Sequence, residues 1–314
     1  MENISAVTSF ILIEYMGMED LKYLYFIVFL LLYILILCLN LLLIGLIYFE
    51  KSLHEPMYIF VGNLAVNGIY GSTILIPFLL SQLMSYSHEI SLGLCLAQIY
   101  CLHTYAIAEF SVLAVMGYDR FIAICHPLHY HIVMSPQKVI GLIALSWMYP
   151  FIAFGMYFIL TAKLTFCSRI IPKVYCANFV LVRLSCFDTS VHSIVGLISV
   201  VFLIAPQLLM VIFSYAQILR VCLLASRDSR VKALQTCTPH LLAVVNYSVG
   251  VFFEVIQSRF NMSNFPYGSR MFMSLYFLIV PPLLNPTIYG ISVQNIRVRI
   301  LKICTAKKQV HRAS

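Results

Sequence analysis

Seven long apolar stretches, separated by short polar segments, make up most of the 314-residue chain. Each is close to or longer than the roughly 20 residues that an α-helix needs to cross a bilayer. Backbone groups in lipid must form hydrogen bonds within their own segment, which favours helices. The pattern predicts an all-α membrane protein, a seven-transmembrane helix bundle, with spans at about Tyr23–Phe49, Met57–Met84, Leu92–Ile124, Val139–Thr161, Val191–Leu224, Val231–Gln257 and Met271–Ile291.

The polar segments define the organisation around these spans. Residues 1–22 are predicted to be an N-terminal segment, residues 23–291 the membrane domain and residues 292–314 a tail. Only 10% of the chain is charged, whereas soluble domains carry about a quarter, so no separate soluble domain is predicted. The polar segment Ala162–Thr189 is too long for a simple connection, which indicates a functional or disulfide-tied loop.

Basic residues are distributed unevenly between the two sides of the predicted membrane domain. Thirteen of the 20 Lys and Arg residues lie on the side of the C-terminal tail. Because cytoplasmic loops are rich in Lys and Arg, this predicts a multi-pass plasma-membrane protein with a cytoplasmic C-terminus and an extracellular N-terminus. The net charge of +8 follows from these membrane-flanking residues, so membrane lipid is the expected partner and nucleic acid is not.

Two adjacent charges, Asp119 and Arg120, stand where the third predicted span ends. They could simply anchor the helix at the membrane boundary, with the long Arg120 side chain reaching the membrane surface. The alternative is a switch, in which the carboxylate holds the guanidinium at rest and releases it to a partner entering the bundle. The position at the inner end of a long helix favours the switch.

Polar residues also occur inside the predicted spans. Asn40 is the strongly polar residue of the first span, and Glu109 lies 11 residues before Arg120. At about 100° per residue, that spacing returns Glu109 to the same helix face as Arg120. A carboxylate in a span is costly unless it is protonated, paired or hydrated, so Glu109 is either an interior functional group or a protonated, hydrogen-bonded one.

The stretch MGYDRFIAICHPLHY, which contains Asp119 and Arg120, resembles the olfactory receptor version of the rhodopsin-like (class A) G-protein-coupled receptors. PLLNPTIYG near the end of the seventh span, KALQTCTPHL in the sixth and Ser214-Tyr215 in the fifth resemble the same family. Phe121 replaces the Tyr that is commonest there, and leaves the charge pair intact. The resemblance implies a G-protein coupling and switch site at Asp119, Arg120, Phe121, Tyr215, Asn285, Pro286 and Tyr289.

The resemblance has further structural implications. Asn285 would satisfy the backbone loosened by Pro286. The cysteines Cys95, Cys167, Cys176 and Cys186 allow three connectivities, and the family implies the disulfides Cys95–Cys176 and Cys167–Cys186. Family members commonly place an acidic residue near Glu109 on the second helix, where this chain has Gly68. That departure leaves one carboxylate and puts sodium binding in doubt.

A ligand cavity is expected one to two turns outward of Glu109, between the third, fifth, sixth and seventh spans. Small apolar pockets with few polar groups suit small organic ligands. Glu254 would serve a cationic or amino-acid ligand or be a hydrated structural group, and His103 would be a contact or a satisfied interior histidine. The predicted ligand-binding residues are Leu102, His103, Ala106, Ile107, Tyr247, Gly250, Val251 and Glu254.

Three covalent or surface features are predicted from short motifs. Asn3 begins an N-glycosylation sequon, Asn3-Ile4-Ser5. Val293–Cys304 alternates basic and apolar residues, which is typical of a short amphipathic C-terminal helix. Cys304 is a candidate for palmitoylation.

The leading functional hypothesis is an odorant receptor that binds a small extracellular molecule and activates a heterotrimeric G protein, of the olfactory stimulatory type by resemblance. The alternative is a rhodopsin-like receptor for a peptide or lipid. A transporter would carry more intramembrane charges or inverted repeats. No nucleophile–base pair or metal-ligand pattern is evident in the sequence, so no enzyme activity, cofactor or metal is predicted.

Overall fold

The computed structural model describes residues 7–260, 262, 264–292 and 296–298. Within those residues, 7 helices are long and apolar enough to cross a membrane, which confirms the predicted bundle. Of the predicted helix Val293–Cys304, only residues 296–298 are described, and they are helical. The long helices, called spans one to seven, are Lys22–Phe49, Pro56–Leu83, Leu92–Cys125, Pro136–Ala162, Ser190–Leu224, Arg227–Arg259 and Tyr267–Ser292.

Span six begins earlier than the apolar pattern predicts. The hydroxyl of Ser226 accepts a hydrogen bond from the Ser229 amide at 3.4 Å, and Asp228 lies in the first turn. Both features stabilise a helix N-terminus. The helix therefore extends beyond the apolar segment, and the predicted loop from residue 225 to 230 shrinks to Ala225 and Ser226.

Span three runs through the middle of the bundle. Its most apolar segment is 78% buried, against 17% to 50% in the other spans. A Cβ added at Gly71 of span two would lie 2.5 Å from the Tyr105 ring, so glycine there permits the close approach of the two helices. The buried span three thus contributes residues to both ends of the bundle.

Span one satisfies a backbone carbonyl that Pro286 leaves without a donor. A proline lacks the N–H that would bond to the carbonyl four residues earlier, here that of Pro282. The Asn40 amide donates to this oxygen at 2.8 Å and to the Ile36 carbonyl at 2.8 Å. The prediction that Asn285 satisfies this backbone is wrong, because its amide donates to Glu109 instead.

Two other proline-freed carbonyls are satisfied in the same way. The Tyr105 hydroxyl donates to the Phe277 carbonyl at 3.0 Å, four residues before Pro281. The Tyr149 hydroxyl donates to the Phe202 carbonyl at 3.3 Å, again four residues before a proline. Prolines are tolerated in these spans because neighbouring helices supply the missing donors.

Replacing Asn40 by Leu is expected to destabilise the folded receptor by about 1 kcal/mol, because interhelical hydrogen bonds in membranes have this magnitude. The measurement is the thermal unfolding midpoint of the receptor in detergent. Leu41→Ala is the control, since that neighbouring side chain is 57% exposed toward lipid. Equal midpoints for Asn40→Leu and the wild type would refute the stabilising role of the bond.

Three short strands and two disulfides close one end of the bundle, which we call the disulfide end. The strands are β1 (Ser9–Leu12), β2 (Glu89–Ser91) and β3 (Ile170–Ile171), in the order β2-β1-β3. β1 pairs antiparallel to β2 and parallel to β3. The sequence did not predict β1, since a four-residue strand paired with distant segments leaves no periodic signal.

Candidate functional site

A cavity of about 160 Å³ lies at the disulfide end. Residues of spans three to seven and of the loop between spans four and five surround it, and most of them are apolar. Of the predicted ligand-binding residues, the lining includes Leu102, His103, Ala106, Ile107, Val251 and Glu254. These residues converge on one space, as a ligand site requires.

Tyr247 and Gly250 lie below the cavity instead of lining it. Tyr247 is fully buried, and its hydroxyl donates to the Ala106 carbonyl at 3.1 Å. A Cβ added at Gly250 would meet Phe277 at 2.8 Å, and Phe277 itself lines the cavity. Both residues support the floor of the cavity from span six.

No lining residue of span four, of span five or of the loop was predicted from the sequence. A loop gives no periodic signal for the side chains it turns inward, and apolar residues of a span look alike whether they face lipid or a cavity. The lining residues that were not predicted include Phe154, Tyr157, Tyr175, Asn178, His192 and Leu203.

His103 is a hydrogen-bonded interior histidine that also lines the cavity. Its Nδ1 lies 2.8 Å from the Ile99 carbonyl, and its ring stacks on Phe154 at 4.5 Å. A carbonyl only accepts, so Nδ1 carries the proton and Nε2 of the neutral ring is an acceptor. The cavity therefore has a hydrogen-bond acceptor within a largely apolar wall.

Glu254 forms an ion pair with a lysine that the sequence did not single out. Lys173 Nζ lies 2.6 Å from Glu254 Oε1 and 2.8 Å from Oε2. The Ser258 hydroxyl donates to Oε1 at 2.9 Å, and the lysine side chain is 4% exposed. Glu254 is thus a paired group, a state that neither sequence interpretation included.

Glu109 is buried within the bundle, and each of its carboxylate oxygens accepts a hydrogen bond. Its Oε2 accepts from the Asn67 amide at 2.7 Å and its Oε1 from the Asn285 amide at 2.8 Å. At Gly68, an added Cβ would meet Pro282 at 3.3 Å and Asn40 at 3.4 Å. The described structure therefore has one hydrogen-bonded carboxylate here, held by spans two and seven.

Asp119 and Arg120 form a closed cluster at the opposite end, which we call the Arg120 end. Asp119 is fully buried. It accepts from Arg120 Nε at 2.9 Å and from Nη2, and from the Tyr130 hydroxyl at 2.7 Å. Tyr130, in the short helix Tyr130–Val133, was not predicted as a site residue. Burial and the Asp119 charge raise the pKa of Tyr130, so its hydroxyl stays a donor.

A second polar contact at the Arg120 end joins spans three, five and six. His240 Nε2 lies 2.8 Å from the Leu113 carbonyl, so Nε2 carries the proton. Its Nδ1 then accepts from the Tyr215 hydroxyl at 2.7 Å. The predicted Tyr215 thus acts with His240, a residue of the KALQTCTPHL stretch that was not singled out.

The remaining predicted switch residues lie around these contacts. The Phe121 ring lies 5.8 Å from that of Phe213 in span five. Tyr289 is fully buried, and Pro286 continues within the helix of span seven. Asn3 and Cys304 lie outside the described residues.

Comparisons with known proteins place this geometry in a family. Residues 29–307 match the family model described as "Olfactory receptor". Human olfactory receptor 11A1 is 34% identical over 96% of this chain and 95% of its own length. Olfactory receptor 8U9 of Mus musculus is 34% identical over 98% of both chains.

A solved structure agrees at the level of the fold. The crystal structure of squid rhodopsin superposes with a TM-score of 0.69 at 16% identity, covering 90% of this chain and 80% of the rhodopsin chain. The chain belongs to the olfactory receptor family: it is an odorant receptor with a rhodopsin-like fold, a multi-pass plasma-membrane protein that signals through G proteins and is not an enzyme.

Proposed function

We propose that this receptor takes its odorant into the cavity from outside the cell and activates a stimulatory heterotrimeric G protein of the olfactory type at the Arg120 end. Of the 20 Lys and Arg residues of the chain, thirteen lie on the side of the Arg120 end. This excess supports a cytoplasmic location for the Arg120 end. Two disulfides at the other end suit an oxidising, extracellular environment. Exposed apolar side chains such as Leu31 and Phe202 suit membrane lipid.

The observation that carries the proposal is the cluster that Arg120 and Tyr130 form around the buried Asp119. It lies at one end of span three, which lines the cavity at its other end. In this resting arrangement the guanidinium is turned to Asp119, and its side chain is only 12% exposed. Release from Asp119 would present a cation to a partner entering between the spans. Arg is suited to this because its planar group can bind carboxylates and carbonyls by several hydrogen bonds.

Span six connects the cavity to this cluster. Val251 and Glu254 line the cavity, whereas Tyr247 and His240 further along the same helix bond to backbone carbonyls of span three. An outward movement of span six at the Arg120 end requires the His240 contact to break. An odorant that binds the open arrangement more tightly than the closed one shifts the population toward it.

Two measurements on cells test the proposal together. Antibodies against a tag at each terminus, applied to intact cells, should label only the N-terminal tag. An odorant panel should raise cyclic AMP in cells that contain the olfactory stimulatory Gα subunit and not in matched cells that lack it. Labelling of both tags on intact cells, or a response independent of that subunit, would contradict the proposal.

Replacing Tyr130 by Phe is expected to raise the odorant-independent cyclic-AMP level by about tenfold. The change removes one hydrogen bond to a buried carboxylate, and bonds to charged groups contribute roughly 1.5–3 kcal/mol. The resting state loses this bond, while an open state with Arg120 released loses less. Tyr48→Phe is the matched control, since Tyr48 is 73% exposed; equal basal levels in both variants would count against the cluster as a restraint.

A further inference from the structure

The ligand cavity contains one carboxylate and one permanent cation among the described residues that line it. Glu254 is the carboxylate and Arg259 is the cation. The remaining lining is apolar, aromatic or neutral. The charge that a ligand meets therefore depends on what these two groups already bind.

Both carboxylate oxygens of Glu254 already have a donor from the protein. Lys173 binds both oxygens, and the Ser258 hydroxyl adds a third hydrogen bond. The lysine is buried and also lies 5.3 Å from the centre of the Tyr175 ring. An ammonium ligand would have to displace a cation that is already in place.

The lysine is fixed by the loop that carries it. Three residues after Lys173, Cys176 is joined to Cys95 of span three, and its amide donates to Gln98 at 2.8 Å. The Tyr15 hydroxyl donates to the neighbouring Val174 carbonyl at 2.7 Å. Restraint of the loop lowers the entropy that the ion pair costs, so the lysine competes effectively with a mobile ligand.

Arg259 does not make the cavity more favourable for an ammonium ligand. Its guanidinium lies 3.8 Å from the centre of the Phe179 ring and donates to the Ser193 carbonyl at 3.4 Å. It adds positive charge beside the cavity, which disfavours an amine further. Arg259 therefore acts against a cationic ligand, and Glu254, once paired with Lys173, no longer attracts one.

We propose that Lys173 sets the preference of the cavity between neutral and cationic ligands: by neutralising Glu254, it makes the receptor favour neutral odorants over amines. The inference rests on the proposed binding of odorants in this cavity and deepens it. The neutral class includes alcohols, aldehydes and ketones, whose oxygen can meet the few polar groups of the wall. Lys173 is a specificity-determining residue that acts through Glu254.

The test compares dose–response curves for alcohols, aldehydes and primary amines that share one carbon skeleton. The wild type should respond to neutral compounds and not to their amines. Lys173→Met should leave Glu254 unpaired and improve the EC50 for amines by about tenfold to a hundredfold relative to the neutral analogue, the range that a hydrogen bond to a charged group gives.

Three further variants separate the ion pair from a general effect of charge. The double variant Lys173→Met with Glu254→Gln should lose the gained amine response, so that its amine-to-neutral ratio returns toward that of the wild type. Lys163→Met removes an exposed lysine at the same end of the bundle and should change neither preference. Lys173→Glu with Glu254→Lys keeps an ion pair and should still exclude amines, which provides a readout even if Lys173→Met fails to reach the cell surface.

Any of three results would overturn the inference. The wild type could prefer amines, a surface-expressed Lys173→Met variant could gain no amine response, or the variant with the swapped pair could accept amines. Failure of the proposed function is a different result: no compound of any charge would raise cyclic AMP through the wild type. The amine-to-neutral ratio distinguishes the two results, because both compounds are measured on the same receptor.

Discussion

Arg120→Ala is expected to abolish the odorant-evoked rise in cyclic AMP. The guanidinium is the group that the bundle withholds at rest and offers to the G protein, and alanine provides neither charge nor donors. The measurement is the maximal cyclic-AMP response, normalised to receptor at the cell surface. A normalised response equal to that of the wild type would exclude Arg120 from coupling.

The loss must be separated from misfolding. Removing Arg120 leaves Asp119 fully buried with Tyr130 as its other donor, and an uncompensated buried charge destabilises by roughly 3–5 kcal/mol. The double variant Asp119→Asn with Arg120→Ala removes both charges. It should recover surface expression and still give no response, which would assign the loss to signalling.

Replacing both Cys95 and Cys176 by Ala is expected to retain most of the receptor inside the cell. This disulfide joins residues separated by 81 positions. In the chain-entropy model, a bond across such a loop stabilises the native state by about 4.5 kcal/mol, a large fraction of the stability of a typical protein. Surface labelling of a tagged receptor, compared with total protein, is the measurement.

The second disulfide is the matched control. Cys167 and Cys186 are 19 positions apart, and the same model gives about 3.2 kcal/mol. Their removal should therefore reduce surface expression less than removal of Cys95 and Cys176. The reverse order would mean that loop length does not govern the loss, and that contacts within the loop do.

The spans were predictable because the local sequence alone determines whether a segment can cross a membrane. About 20 apolar residues in a row are sufficient for a spanning helix, whatever the rest of the chain does. The polar first turn of span six was missed for the same reason, since Ser226 and Asp228 favour a helix start without contributing to an apolar run. The strand Ser9–Leu12 was missed because its partners lie far away in sequence.

Site residues were predictable where neighbours in a short motif interact with each other. They were not predictable where residues that are distant in sequence come into contact. Asp119 and Arg120 are adjacent, so their pairing follows from sequence alone. Tyr130 reaches Asp119 only after the chain turns back at the end of span three, and Lys173 reaches Glu254 across 81 residues. Such contacts depend on how the loops fold over the bundle, which no local pattern specifies.

The motif that contains Asn285 was recognised correctly, but the hydrogen-bonding role predicted for Asn285 was wrong. The motif predicted a residue that repairs the backbone at Pro286, and the structure gives that role to Asn40. Both side chains are amides with the same donors, so chemistry alone could not choose between them. Their positions decided it: Asn40 faces the freed carbonyl, and Asn285 faces Glu109.

The strand order β2-β1-β3 has a consequence for biosynthesis. The central strand is the first of the three to leave the ribosome, and its partner at Ile170–Ile171 emerges about 160 residues later, since Ile11 pairs with Ile170. Until four spans have been inserted, the edge of Ser9–Leu12 that pairs with Ile170–Ile171 lacks that partner, and unpaired strand edges favour aggregation. The N-terminal strand of a nascent receptor therefore lacks one of its two partner strands through more than half of translation.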